Sequence, residues 1–321
     1  MRPSFLAGLA ILLMEYLVCS TSTWDPERIA ILLTETYGHV NHTTHKWRPY
    51  PEHTRFLDLG MRTKVMYAEK HGYDLKIVTS LPDVTIKSKT NKNAILWQRG
   101  FWIRRQFGSK AEPGQLAPDN DTVASCRKYD WVMWMDGDIF ITNLTVRIED
   151  IIEAARRLRP DGSYPHFIAT RHAELDGDEP FTPGQILQFN TGTALVRCST
   201  EGLRLMNEML FLRIEQAFDT YVQAWDHQGA LMQAYKSHRW VRSLTTFVPP
   251  KLMNAYPFNL TDETGELKDC GDPQGTECQK GWWTPGDFLI HFPGAGKHYI
   301  ASFLKRYPLS TWPGACEPFN F

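Results

Sequence analysis

The stretch of sequence that decides the fold is Tyr129-Asp130-Trp131-Val132-Met133-Trp134-Met135-Asp136-Gly137-Asp138. Its large apolar residues do not alternate with polar ones, which predicts a strand buried on both faces of a sheet. The strand ends in two carboxylates separated by one glycine, Asp136 and Asp138. Burying a carboxylate is costly unless it is paired or bound to a metal, so the pair predicts a cation site. Ligands of open α/β sheets bind just outside the carboxyl ends of the strands, so the segment also predicts a nucleotide-type ligand.

Strands and helices are predicted to alternate around this segment up to about residue 160. Strands are predicted at 28–34, 75–78 and 129–135, and helices at 54–71, 93–107 and 148–158. Such alternation favours βαβ units and a parallel sheet with right-handed crossovers. Beyond residue 160 the pattern is mixed, with strands predicted at 166–170, 186–196, 241–248 and 287–291 and helices at 203–214 and 226–236. Since no repeat or linker divides the chain, we predict a single α/β domain with an elaborated C-terminal half.

The composition argues against some classes of binding partner. The chain has 321 residues and a net charge of −1. A net charge so close to zero gives no sign of a basic surface that would bind nucleic acid or an anionic membrane. Eleven tryptophans and twelve tyrosines are many for this length. They indicate either a rich aromatic core or aromatic faces that stack on sugars, and the composition leaves both open.

The N-terminus is typical of a protein that enters the secretory route. Arg2 is followed by an apolar run from Phe5 to Val18, which Glu15 interrupts, and then by small residues. The run is shorter than the ~20 residues that a spanning helix needs, so a cleaved signal peptide over 1–22 is favoured over a short signal-anchor. Four N-x-[ST] glycosylation sequons support this route. They begin at Asn41, Asn120, Asn143 and Asn259.

The cysteines suggest a disulfide-bonded protein. Cys270 and Cys278 flank a turn-rich loop and are the favoured disulfide, while Cys126 and Cys316 could form a second one. Cys198 ends an apolar run, so we expect it to be a buried thiol. No pair of cysteines has zinc-finger spacing, which argues against a structural zinc site.

Asp136-Gly137-Asp138 also predicts which cation would bind. Alternating carboxylates place their oxygens on one side of a turn, and hard cations such as Mn²⁺ or Mg²⁺ take oxygen ligands of this kind, often together with substrate phosphates. The alternative is a solvated acidic turn. The buried strand before the motif and the second apolar run after it, at 139–143, favour the metal site.

Five segments together resemble one enzyme family. They are Tyr67-Ala68 with His71-Gly72-Tyr73, Asp136-Gly137-Asp138, Asn190-Thr191-Gly192, Trp225-Asp226-His227-Gln228 and His291-Phe292-Pro293-Gly294. The second resembles the Asp-x-Asp motif of GT-A-fold glycosyltransferases. Together they are similar to the family of fungal α-1,2-galactosyltransferases, yeast Golgi α-mannosyltransferase subunits and plant xyloglucan α-xylosyltransferases. The resemblance covers roughly residues 28–300. It implies one GT-A catalytic domain over 24–321, with a single mixed, mostly parallel central sheet flanked by helices.

The resemblance implies a set of metal ligands. Asp138 would hold the metal that bridges to the donor diphosphate, Asp136 would contact the metal, the ribose or a metal-bound water, and His291 would be the third protein ligand. Neutral imidazole suits Mn²⁺ alongside carboxylates. The alternative for His291 is a hydrogen-bonded core histidine. If the resemblance holds, Asp138 and His291 should meet at one ion although they are 153 positions apart.

Further residues are assigned to the donor. Gly294 and Gly296 would let the backbone approach the diphosphate closely, and Lys297 would neutralise the leaving phosphate. A solvated surface charge is the alternative for Lys297.

Three residues are assigned to the transferred sugar. Asp226 and Gln228 would lie on its far side, with Asp226 as a nucleophile or an electrostatic partner, or alternatively as a helix N-cap. Asn190 would contact the donor sugar or the acceptor, or alternatively serve as a turn residue in a strand bulge.

The function that these resemblances imply is a metal-dependent, retaining glycosyltransferase. The donor would be a nucleotide-diphosphate sugar, with UDP-galactose or UDP-xylose favoured and GDP-mannose as a further candidate. The acceptor would be an oligosaccharide or other glycan. We expect a Golgi lumenal or membrane location, with secretion as the alternative, and leave open an oligomer with itself or other transferases.

Other functions remain open from the sequence. One is a nucleotidyl- or phosphotransferase that uses the same carboxylates, although the chain has no P-loop motif. Another is a non-catalytic, secreted glycan-binding protein or a partner subunit of a glycosyltransferase complex.

Overall fold

The computed structural model describes residues 28–34, 38–40, 47–49, 51–78, 94–107, 128–171, 189–215, 220–257, 281–293 and 299–315. Ten strands lie in these ranges. They are β1 (Ile29–Thr34), β2 (Gly38–Val40), β3 (Trp47–Pro49), β4 (Asp74–Val78), β5 (Trp131–Met135), β6 (Ile139–Ile141), β7 (Phe167–Arg171), β8 (Phe189–Arg197), β9 (Thr245–Val248) and β10 (Leu289–His291).

Eight α-helices lie in the same described ranges. They are α1 (Pro51–His71), α2 (Ala94–Gln106), α3 (Ile148–Arg157), α4 (Thr200–Glu215), α5 (Thr220–Ser237), α6 (Arg239–Leu244), α7 (Pro250–Met253) and α8 (Ile300–Arg306). A short 3-10 turn, Leu309–Thr311, follows α8.

The central sheet has six strands in the order β4-β1-β5-β8-β7-β9. β1 runs parallel to β4 and to β5, and β7 runs parallel to β9. β8 is antiparallel to both of its neighbours, β5 and β7. The sheet is therefore mixed and mostly parallel, with helices against it, and the predicted α/β architecture with a mixed, mostly parallel central sheet is confirmed.

The apolar run that opened the sequence analysis forms the middle of this sheet. All five residues of β5 are buried. Val132 and Trp134 pack in one cluster with residues of α2, α4 and α5. Trp131, Met133 and Met135 pack in a second cluster with residues of α1 and α3. Both faces of the strand are covered, which is why the run shows no alternation of apolar and polar residues.

A second, two-stranded sheet lies beside the carboxyl end of β5. Its strands β6 and β10 are antiparallel and pair Ile139 with His291. The pairing brings two segments together that are far apart in the sequence, directly after Asp138.

The early Tyr-Ala-x-x-His-Gly-Tyr segment has a structural role. Tyr73 Oη donates to Glu149 Oε2 at 2.5 Å, and the backbone N–H of Ile148 donates to Tyr73 Oη at 3.2 Å. Tyr67 Oη donates to the carbonyl of Val146 at 2.8 Å. Hydrogen bonds therefore join the end of α1 and the turn after it to the segment that begins α3.

Two predictions about local structure are wrong. The segment predicted as a strand at 241–248 begins as helix α6, and only 245–248 are strand β9. Arg242 explains the helical turn, because its guanidinium donates to the carbonyls of Tyr235 and Lys236 at the end of α5. Cys198 is not a thiol but is disulfide-bonded. Its partner lies outside the described residues, as do the segment 1–22 and the remaining cysteines.

Aromatic residues supply much of the core. Among the described tryptophans, Trp131, Trp134, Trp282, Trp283 and Trp312 are buried. For these residues the structure favours the core interpretation over a sugar-stacking surface. No helix in the described ranges is long and apolar enough to cross a membrane.

Candidate metal centre

Three predicted ligands meet at the carboxyl end of β5. Asp136, Asp138 and His291 each offer one ligand atom, and these atoms all lie within 4.8 Å of one another. His291 Nε2 is 3.3 Å from Asp138 Oδ1. Asp138 and His291 are buried, and Asp136 is partly exposed. Two carboxylates and one imidazole form a donor set that suits Mn²⁺ or Mg²⁺, so the residues fit the predicted metal.

The strand pairing explains how residues 153 positions apart come together. β5 ends at Met135, and Asp136, Gly137 and Asp138 form the turn into β6. The N–H of Phe292 donates to the carbonyl of Asp138 at 3.0 Å. His291 therefore projects from β10 beside the turn that carries both carboxylates.

Helix α1 supports this turn from behind. Lys64 is fully buried, and its Nζ donates to the carbonyl of Gly137 at 3.1 Å. A Cβ atom on Gly60 would lie 2.9 Å from the carbonyl oxygen of Gly137 and 3.0 Å from that of Ile139. Only a glycine lets the helix backbone come so close. We did not predict these contacts; the only signal for them was a glycine and a lysine spaced i, i+4 within a helix.

Asn190-Thr191-Gly192 packs against both halves of the site. Asn190 Oδ1 accepts from the N–H of Gly192 at 2.7 Å, and the carbonyl of Gly192 accepts from the N–H of Asp136 at 2.7 Å. A Cβ atom on Gly192 would lie 2.3 Å from His291 Cε1. The glycine is therefore required for the space that the imidazole occupies. In this structure the Asn190 side chain bonds its own turn, as in the alternative interpretation of that residue.

Thr191 is held by three residues from two other elements, α5 and β5. Its N–H donates to Gln228 Oε1 at 2.9 Å, and its Oγ1 lies 3.0 Å from His227 Nε2. Trp134 Nε1 donates to its carbonyl at 2.6 Å. Gln228 therefore contacts the Asn190-Thr191-Gly192 segment through the backbone of Thr191.

Asp226 lies in α5, in a part of that helix where the structure describes the backbone alone. The helix begins at Thr220, so Asp226 is inside it. The alternative role of Asp226 as an N-cap is therefore wrong, because an N-cap residue immediately precedes the first residue of the helix. Gly294, Gly296 and Lys297 lie outside the described residues.

The opposite side of the His291 ring is also occupied. Asn254 Oδ1 lies 2.9 Å from His291 Nδ1, and the ring of Tyr256 stacks on the imidazole with centroids 5.8 Å apart. Burial raises the pKa of Tyr256 well above its usual value, so its hydroxyl remains protonated at neutral pH. The ring is thus confined between Gly192, Asn254 and Tyr256.

Comparison with known proteins agrees with these motifs. Residues 121–298 match the model of the galactosyl transferase GMA12/MNN10 family, which is more than half of the chain. An uncharacterized alpha-1,2-galactosyltransferase of Schizosaccharomyces pombe is 25% identical over 258 residues, which cover 76% of this chain and 65% of that protein. The probable alpha-1,6-mannosyltransferase MNN10 of Saccharomyces cerevisiae is 24% identical over 245 residues, which cover 73% of this chain and 55% of that protein. This chain therefore spans less than two thirds of the length of either relative.

A solved glycosyltransferase involved in glycosylation of the major capsid of PBCV-1 has a TM-score of 0.48 and 13% identity, covering 87% of this chain and 98% of that one. The family assignment rests on the family model and on the residues that carry its motifs. The chain belongs to the galactosyl transferase GMA12/MNN10 family.

Proposed function

We propose that this chain is a metal-dependent glycosyltransferase that moves a hexose or pentose from a nucleotide-diphosphate sugar to an oligosaccharide or glycan. The observation that carries the proposal is the convergence of Asp136, Asp138 and His291 at the end of the central strand. The chain belongs to a family of glycosyltransferases, so we propose that this site takes part in sugar transfer.

Asp138 and His291 would bind the metal from the protein side. Both are buried and lie 3.3 Å apart, so they would need little reorientation to bind one cation. Asp136 is the more exposed carboxylate and would face the ribose or a water molecule. Mn²⁺ or Mg²⁺, when bound, would supply positive charge at the departing diphosphate.

The support around these ligands favours a rigid site. Lys64 holds the carbonyl between the two carboxylates, and the carbonyl of Gly192 accepts from the N–H of Asp136. Fixed groups stabilise developing charge better than mobile ones, because they need no reorganisation during the reaction.

The sugar would lie on the side of Asn190, Asp226 and Gln228. Gln228 uses its oxygen to accept from Thr191, so its amide nitrogen would be the group that donates to the sugar. Asp226 would act as a nucleophile or as an electrostatic partner of the positive sugar. Gly294, Gly296 and Lys297 would contact the diphosphate.

The donor is proposed from the relatives' names and, for xylose, from the resemblance to plant xyloglucan α-xylosyltransferases. One is named for alpha-1,2-galactosyl transfer and the other for alpha-1,6-mannosyl transfer. We favour UDP-galactose or UDP-xylose and retain GDP-mannose as a candidate. These donors are alpha-linked, so formation of an alpha linkage would retain the anomeric configuration.

A secretory location is proposed on two grounds. The N-terminal sequence resembles a signal peptide or short anchor. Cys198 forms a disulfide, and disulfides persist in oxidising compartments. We propose the Golgi lumen or membrane, with secretion as the alternative.

The direct test is donor hydrolysis and transfer with a panel of nucleotide sugars, with and without Mn²⁺. We expect wild type to turn over one UDP-sugar only with the metal, and Asp138→Asn to lose that activity. Asp58→Asn is the matched control, because Asp58 is an exposed carboxylate on α1 that forms an ion pair with Arg62. If all three proteins are equally active or equally inert, the proposed function is wrong. Glycan binding without turnover would instead favour a non-catalytic binding protein.

A further inference from the structure

Asn254 is a fully buried polar residue next to the proposed metal centre. Its Oδ1 lies 2.9 Å from His291 Nδ1. Its amide nitrogen donates to Tyr256 Oη at 2.9 Å and to Thr170 Oγ1 at 3.2 Å. Each amide group of Asn254 thus has a partner within hydrogen-bond distance.

The two ends of the Asn254 amide have different partners. Its nitrogen donates to the hydroxyls of Tyr256 and Thr170, and its oxygen faces Nδ1 of His291. An acceptor opposite Nδ1 requires a proton on that nitrogen, and in the neutral ring this leaves the lone pair on Nε2. Nε2 is the nitrogen that lies 3.3 Å from Asp138.

The backbone around Asn254 is tied to the same strand as the histidine. The N–H of Asn254 donates to the carbonyl of Pro250 at 2.6 Å, and Thr193 Oγ1 donates to the carbonyl of Met253 at 2.6 Å. The N–H of His291 donates to the carbonyl of Ala255 at 2.8 Å. Asn254 and His291 therefore keep their relative position through main-chain contacts.

We propose that Asn254 is a positioning residue of the metal centre: its amide oxygen holds His291 with the proton on Nδ1 and presents Nε2 to the cation. The inference rests on the proposed function, because it assumes that His291 binds a metal. Loss of such an outer contact lowers metal affinity by about 10–100-fold in known sites. A purely structural role for Asn254 would alter stability and leave metal affinity unchanged.

Three variants of the full chain separate these roles. Asn254→Leu is close in size and removes the acceptor. Asn254→Asp keeps an oxygen opposite Nδ1. Thr170→Val is the control, since it removes one partner of the same amide on the side away from His291. Mn²⁺ affinity is measured from the electron paramagnetic resonance signal of free Mn²⁺, and stability from thermal unfolding without metal.

We expect Asn254→Leu to bind Mn²⁺ about 10–100-fold more weakly than wild type. Asn254→Asp should recover most of that loss, and Thr170→Val should bind Mn²⁺ like wild type even if its unfolding temperature falls. Equal affinity of Asn254→Leu and wild type would overturn the inference. An equal loss in Thr170→Val would do so as well.

A second measurement is made without metal. It does not require that Asn254→Leu folds. The ¹⁵N shifts of the His291 ring in the metal-free protein, assigned with His291→Asn, report which nitrogen carries the proton. We expect a proton on Nδ1 in wild type and in Asn254→Asp; an Nδ1 without a proton in wild type would refute the inference. If wild type binds no Mn²⁺ at all, the proposed function fails first, and the ring shifts show whether Asn254 still orients the histidine.

Discussion

Gly192→Ala is the substitution that tests the geometry of the site most directly. The added Cβ would lie 2.3 Å from Cε1 and 2.8 Å from Nδ1 of His291, whereas ordinary contacts begin at 3.4 Å. To restore an ordinary contact the ring would have to retreat by 1.1 Å, the difference between 3.4 Å and 2.3 Å. Metal–ligand distances tolerate only about 0.2 Å, so a shift of this size would remove His291 from the ligand set.

The ring has little freedom to make that shift. It is 2% exposed and stacks on Tyr256, and Asn254 bonds its Nδ1. The alanine is therefore expected to cost about 1–3 kcal/mol of stability, as overpacking does in other cores. We expect Mn²⁺ affinity to fall at least about tenfold, which corresponds to about 1.4 kcal/mol.

Gly100→Ala is a matched control. Its Cβ would also lie 2.3 Å from the nearest atom, but that atom is Met209 Cε at the end of a flexible side chain in another cluster. The methionine can move aside, and alanine is favoured over glycine within a helix by about 1 kcal/mol. Mn²⁺ affinity should be unchanged. Affinity is measured by metal titration and stability by denaturant unfolding in both variants.

A coupling between Gly192 and His291 is expected as well. If Gly192→Ala acts through the imidazole, its stability cost should largely disappear in a His291→Ala background. Additive costs in the double variant, or wild-type Mn²⁺ affinity in Gly192→Ala, would refute the explanation by crowding.

Three other outcomes are expected. Lys64→Met should weaken Mn²⁺ binding and lower the unfolding temperature, because it leaves the Gly137 carbonyl without this donor; Lys64→Met with unaltered metal affinity would contradict the support assigned to α1. Mn²⁺ at about 100 times its Kd should stabilise wild type by about 2.7 kcal/mol and leave Asp138→Asn unchanged in thermal unfolding. Burial lowers the pKa of His71 in the folded protein from its usual 6.5. As the pH falls, the unfolded chain therefore takes up a proton at His71 before the folded protein does. The free energy of unfolding should then decrease below about pH 6.5. The unfolding free energy of His71→Gln should depend less on pH over that range; an identical slope would show that His71 does not contribute.

Local sequence patterns were enough to predict the central part of the fold. β5 was predictable because its residues are apolar on both faces and the strand is covered on both sides. The positions of Asp136 and Asp138 followed from where that apolar run stops. The error at α6 lies where a side chain bonds the preceding helix: Arg242 donates to the carbonyls at the end of α5, a contact that the period of apolar residues does not reveal.

The sequence by itself determined the strand, the acidic turn after it and the family to which the motifs point, because each of these is encoded in adjacent residues. Only the tertiary structure decided which residues support the site. The pairing of β6 with β10 places His291 beside Asp138, and Lys64 and Asn254 reach the site from α1 and from the segment after α7. Their roles depend on distances between elements that are remote in the chain, and such distances leave no periodic signal in the sequence.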